Sequence, residues 1–159
     1  DRSRESRWGR SDMTWTVAGL MQDMVTTVKT VTTFDDRVSW MPPETGYSSG
    51  PWAYLEYGPA DIEQASDEVI THTVEINVMV PMAGNFDGDY GEYAQAVDLA
   101  VQVHRAFYAN VIVDDEGAIG SPGTIAKPDF MQYGETRCLR CKLTMMLVTS
   151  QDVSALVSD

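Results

Sequence analysis

A chain of 159 residues, 43% of them hydrophobic, has the size and composition of one globular domain with a real core, and is neither disordered nor fibrous. Its formal net charge of −13 argues against a nucleic-acid reader, which holds phosphates with clustered Lys and Arg. No apolar run approaches the roughly eighteen residues of a membrane span, and two cysteines do not make a disulfide scaffold, so a reducing cytoplasm is the default.

Residues 1–12 have no apolar period and only Trp8 as an anchor, and read as an N-terminal arm ahead of a single domain at 13–159. The arm lacks an apolar h-region, so no secretory signal is expected, and Met13 is available as an internal start. It carries Arg2, Arg4, Arg7 and Arg10 against Asp1, Glu5 and Asp12, whereas the rest of the chain has twenty-one acids against seven bases. An arm this polar needs a partner to hold it, and an acidic surface on an adjacent subunit is the expected one. From Thr14 to about Thr30, apolar residues from Val17 to Val31 recur at three- and four-residue steps. This spacing predicts an amphipathic helix, with Ser11 or Asp12 as its cap. A short strand over Arg37–Met41 and an irregular loop to Pro51 come next, then a second strand over Trp52–Tyr57 that Gly58-Pro59 is expected to stop.

The clearest element is Ile70 to Val80. Ile70, His72, Val74, Ile76, Val78 and Val80 alternate with Thr71, Thr73, Glu75, Asn77 and Met79, the period of a strand with one buried face. After a loop, Asp89 and Glu92 make a capping-box-like start to a helix reaching about Tyr108. Its predicted inner face is Tyr93, Ala96, Val97, Ala100, Val101, His104 and Phe107. Val111–Val113 is a candidate short strand closed by the acidic turn Asp114-Asp115-Glu116, and residues 118–134 read as loop holding at most one short strand. Thr136 to Thr149 alternates again, with Leu139, Cys141, Leu143, Met145 and Leu147 on one side, and is a natural antiparallel neighbour for the first long strand. The fold class expected is α+β: a mostly antiparallel twisted sheet of four to five strands with two helices packed on one face.

Candidate chemistry is sparse. Gly46-Tyr47-Ser48-Ser49-Gly50 fits the Gly-x-Ser-x-Gly pattern, but a nucleophile elbow needs a helix after the serine, and here Pro51 and a strand follow. Cys138 and Cys141 have C-x₂-C spacing on a strand, where residues three apart point to opposite faces, so one buried thiol and one on the other face are expected. Asn85, Asp87 and Asp89 imitate half an EF-hand loop, with Tyr90 and Ala96 where glycine and glutamate belong. His72 and His104 lie on apolar faces and read as hydrogen-bonded core histidines. No Gly-x-x-x-x-Gly-Lys or Gly-x-Gly-x-x-Gly loop is present. No catalytic residue, metal or cofactor is assigned, and the chain is expected not to be an enzyme. A small serine hydrolase using Ser48 and a monomeric acidic adaptor for a basic partner are the alternatives from other classes.

The order helix, two short strands, long strand, helix, loop and final long strand, with Pro51-Trp52-Ala53-Tyr54-Leu55, Thr71 to Pro81 and Leu139 to Val148 as the matching stretches, resembles the tail terminator (tail completion) proteins of long-tailed bacteriophages. The resemblance spans about residues 13–149; the Arg-rich arm and the stretch from Ala118 to Gly134 depart from a minimal family member. It implies a structural virion protein of the neck, assembled in the host cytoplasm as a homo-oligomeric, hexameric ring. Such a ring caps the tail tube protein, ends its polymerisation and meets a head-side connector protein; another head–tail connector or head-closure protein is the near alternative. DNA would pass through without specific binding, with no membrane involved. Arg2, Arg4, Arg7, Arg10, Asp87, Asp89, Asp114, Asp115 and Glu116 are the candidate interface or lumen residues, the acids lining a channel that repels the duplex or docking a basic ring.

Overall fold

Three long strands carry the molecule. The computed structural model describes residues 15–82, 91–109, 119–120 and 123–154, and within them one mixed sheet of seven strand segments backs two helices. The strands are β1 (Val38–Trp40), β2 (Trp52–Gln64), β3 (Asp67–Pro81), β4 (Ile119–Gly120), β5 (Thr124–Ile125), β6 (Asp129–Tyr133) and β7 (Thr136–Asp152); the helices are α1 (Val17–Lys29) and α2 (Gly91–Ala109). The expected alternation holds over both long strands. Even-numbered residues of β3 from Ile70 and odd-numbered residues of β7 from Leu139 are buried on one face, and the two strands pair antiparallel from Asp67↔Asp152 to Pro81↔Cys138. At about 3.4 Å per residue the seventeen residues of β7 span roughly 58 Å, about three times an ordinary strand.

Both helices lie against that face. Leu20, Met21, Met24, Val25 and Val28 of α1, and Ala96, Leu99, Ala100, Val103 and Phe107 of α2, join Ala53, Leu55, Val74, Ile76, Val78, Val80 and the buried row of β7 in one core. The α1 cap is Thr16, whose hydroxyl accepts from the Gly19 amide at 3.0 Å, and not Ser11 or Asp12, which lie outside the described residues with Asp89. Lys29 in the last turn complements the helix dipole. The α2 inner face is rotated from the expected one: Leu99 and Val103 are buried, while Tyr93, Val97, Val101 and His104 are only half-buried. Two offset i, i+3/i+4 rows are open to this helix, and the row the sheet covers decides between them.

Four further expectations need correction. The sheet has more strands than the four to five predicted, and it is mixed, since β1 runs parallel to β2 with Val38 opposite Ala53. Gly58-Pro59 does not stop β2; the strand continues past a register shift between Tyr57 and Ala60 as far as Gln64. A β-bulge absorbs the proline, whose missing N–H is harmless on an edge. Residues 118–134 hold three short strands where at most one was expected. β4, β5 and β6 pair in succession along β7, opposite 147–148, 143–144 and 136–140, and act as one interrupted edge strand that turns at Gly134 (φ 62°) into β7. The backbone groups on the outer edge of β7 require partners, and this Gly- and Pro-broken stretch supplies them piecemeal. Gly123 is needed for the approach, because a Cβ there would stand 2.8 Å from the Thr144 carbonyl oxygen. Finally, both cysteines are buried. Cys138 and Cys141 do face opposite sides of the sheet, but a second apolar cluster covers the side on which Cys138 lies.

Candidate assembly surface

The sheet face away from the helices changes character along its length. At one end Trp52, Tyr54, Met79 and Cys138 are buried beneath Tyr47, Met131 and Tyr133. Trp52 is the hub, with ring centroids 4.9 Å from Tyr133, 5.6 Å from Tyr47 and 5.7 Å from Tyr54. The loop carrying Ser48 helps to close this cluster. A Cβ on Gly46 would meet the Trp52 and Tyr133 rings at 2.9 Å, and one on Gly50 would meet the Arg37 guanidinium at 2.7 Å. Arg37 in turn donates to the carbonyls of Thr33 and Pro51, each at 3.0 Å, and the Tyr133 hydroxyl donates to that of Pro43. The two glycines of Gly-x-Ser-x-Gly thus serve close packing, and exposed Ser48 sits in an irregular loop between two parallel strands, not on a strand-to-helix turn.

A charged band follows in the middle of the same face. Arg140 makes a two-pronged pair with Asp129, at 3.1 and 2.7 Å, which holds the Asp129 carboxyl below its ordinary range. Lys142 lies 3.4 Å from Glu75, and the Asn77 amide donates to Glu56 at 3.3 Å. Burial, partly offset by the Arg140 hydrogen bond, raises the Tyr54 phenol.

Beyond the band the three long strands run on without the main core. This extension, a tongue made of 58–64 of β2, 67–73 of β3 and 148–152 of β7, closes at a tight turn where the Ala65 amide donates to the Asp67 carbonyl. On its helix side His72 is fully buried between the Tyr57 hydroxyl, 2.6 Å from Nδ1, and the Thr149 hydroxyl, 2.8 Å from Nε2, with the Trp15 ring edge-on at 4.6 Å. Each hydroxyl donates or accepts, so either neutral tautomer is satisfied, and burial pushes the imidazole pKa down. His72 is the hydrogen-bonded core histidine expected; His104 is half-buried and stacks edge-on with Tyr108 at 5.1 Å.

The outer strand of the tongue is bare. β1 pairs with β2 only through Leu55, so the β2 edge from Glu56 to Gln64 has no pairing strand among the described residues. Residues 59–64 are all exposed, Ile62 at 63%. Asp61, Glu63, Asp67, Glu68 and Asp152 lie on the tongue, which contains neither Lys nor Arg. Sequence reading missed this site by trusting Gly58-Pro59 as a stop, although Ala60-Asp61-Ile62-Glu63 continues the two-residue alternation and carried the signal.

The interface or lumen residues singled out in advance are not among those the structure describes. Arg2, Arg4, Arg7, Arg10, Asp87, Asp89, Asp114, Asp115 and Glu116 lie outside the described residues, as do Asn85 and the candidate strand Val111–Val113. Among the described residues no three His, Cys, Asp or Glu side chains are grouped to hold a metal ion, and no helix is long and apolar enough to cross a membrane.

No family model matches the chain, and no curated protein does. Twenty-one solved chains match. One of them belongs to the virion of a native gene transfer agent particle; it is 19% identical over 86% of this chain and 98% of its own, with a TM-score of 0.48. Likeness at that level carries no functional argument.

Proposed function

We propose that the chain is a structural virion protein of a phage neck, a tail-terminator-like subunit that closes into a ring on the end of the tail tube and presents the surface that joins the head. The observation that supports this reading most is where its matching stretches lie. Trp52–Leu55, Thr71–Pro81 and Leu139–Val148 belong to β2, β3 and β7, three adjacent strands forming the frame of one sheet. A stiff frame of this kind, with one helix-covered face and a polar extension, suits a subunit that works by contact with its neighbours. The glycines around Ser48 pack against Trp52, Tyr133 and Arg37, which gives the Gly-x-Ser-x-Gly spacing a structural reason and supports a non-enzymatic reading.

In this reading the partners are further copies of the chain, the tail tube protein below and a head-side connector above, with duplex DNA passing through ungripped. Asp114, Asp115 and Glu116 are proposed to face the lumen, where carboxylates repel a backbone bearing one charge per roughly 1.7 Å of axis. Electron microscopy of particles assembled with this protein tests the ring: six copies about the tube axis are expected, and an arrangement without cyclic contacts between copies overturns it. Changing the three acids together to lysine is expected to leave assembly intact and slow DNA passage; failed head–tail joining would give them a docking role instead.

A further inference from the structure

An open strand edge is a template for another chain, because its outward N–H and C=O groups are ready-made hydrogen-bonding partners. Folded proteins blunt such edges with lysine, proline or bulges. On β2 the bulge and Pro59 stand at the near end, and the stretch Ala60 to Gln64 beyond them is free of both proline and lysine. Its blunting charges, Asp61 and Glu63, are acidic and are joined by Asp67 and Glu68 across the turn. An occupant must therefore be extended and basic. The side chains of this edge stand exposed, and among the described residues no strand pairs with it.

The same sequence contains a segment of that chemistry. Residues 2–10 carry four arginines among nine residues, while the whole stretch from Glu56 to Glu116 has one base, Arg105. Trp15, the first described residue, packs on His72, which pairs with Ala60 at the base of the tongue. Fourteen residues reach at most about 50 Å when extended, roughly twice the length of a seven-residue strand end. That reach allows the segment of one copy to meet the tongue of the next.

We propose that the Ala60–Gln64 edge of β2 is the docking site for the Arg2–Arg10 segment of a second copy, an inference that deepens the ring reading by naming one of its subunit contacts. Main-chain hydrogen bonds along the edge supply the register, and Asp61, Glu63, Asp67 and Glu68 pair with the arginines. The test uses two differently tagged versions of the full chain, one with Ser6→Cys and one with Ile62→Cys. Cys138 and Cys141 are buried, and burial raises both thiols, that of Cys141 to about 11, so they stay out of the reaction. Mild oxidation of the mixture is expected to give a mixed disulfide dimer about tenfold above that formed with a Thr26→Cys control on the exposed side of α1. Asp61→Lys with Glu63→Lys on the Ile62→Cys chain should abolish the excess, and Arg4→Glu with Arg7→Glu on the other chain should restore it. Trapping no greater than the control, trapping only when one chain carries both cysteines, or trapping indifferent to charge reversal overturns the proposal. Electron microscopy of the same variants separates it from the ring itself. A ring that persists without the trapped contact sinks this contact alone, and a trapped contact without any ring sinks the ring reading alone.

Discussion

The two ends of the long sheet are built from the same three strands in one unbroken β3–β7 ladder, yet they are different materials. At the root, Val74, Ile76 and Val78 of β3 and the core-facing row from Leu139 to Leu147 of β7 lie under the two helices, and every one of these side chains is buried. In the tongue the buried positions are mixed: Ile70 is joined by His72, Thr149 and Gln151, and the outer strand is exposed. Strand pairing is therefore not what separates core from periphery here. The helices decide it, because a ladder hydrogen bond largely exchanges for one to water, whereas apolar area removed from water is a net gain.

Apolar-to-acid substitutions in the two regions should show the contrast. The largest effect belongs to Val74→Asp or Leu143→Asp, which buries an unpaired carboxylate at the root; a loss of several kcal/mol and failure to fold are expected. Ile62→Asp on the tongue should leave the urea midpoint nearly unchanged, and equal losses at both ends would erase the distinction. Next in size, Trp52→Ala removes the fully buried hub of the second cluster and should cost about 3–5 kcal/mol. Faster hydrogen exchange in the 42–51 loop should accompany it, since that loop rests on the indole.

A smaller effect sits at the junction. Burial lowers the His72 pKa in the fold, so below about 6.5 the unfolded chain takes up a proton that the native chain refuses. The contribution is complete above that pH and is lost as pH falls from there toward the depressed native value. Denaturation curves across pH 5–7.5 should show this slope, and in a folded His72→Gln variant the slope should flatten. Smallest of all, Asp61→Lys with Glu63→Lys, and separately Ser48→Ala, should change monomer stability by less than about 0.5 kcal/mol. A larger loss in the first would place the tongue edge inside the fold, and a loss of function in the second would return Ser48 to a chemical role.

What the sequence made legible follows the same division. β3 and β7 could be read because half-buried strands alternate, and the helices because an apolar stripe recurs. The second half of β2 was hidden by Gly58-Pro59, since a local stop signal is indistinguishable from a bulge until the partner strand is seen. β4 to β6 were hidden for a related reason: Pro122, Gly123 and Pro128 read as loop, and only the long open edge of β7 turns such fragments into strands. The parallel placement of β1 left no local mark at all. Of the candidate site, the acidity was visible in composition, but its gathering on one three-stranded tongue depends on pairings between residues as far apart as Asp67 and Asp152.

The position of β7 in the chain has a consequence for biogenesis. β3 is finished early in synthesis, but its second neighbour emerges only after α2 and the whole 119–133 stretch, whose strands β4, β5 and β6 themselves pair with β7. Until then a nascent chain carries fifteen residues of β3 bare along one side, and its folding is governed by the arrival of a distant segment. Domains dominated by such non-local pairing fold in milliseconds to seconds, slowly enough for translation speed and chaperone capture to determine the yield of competent subunits.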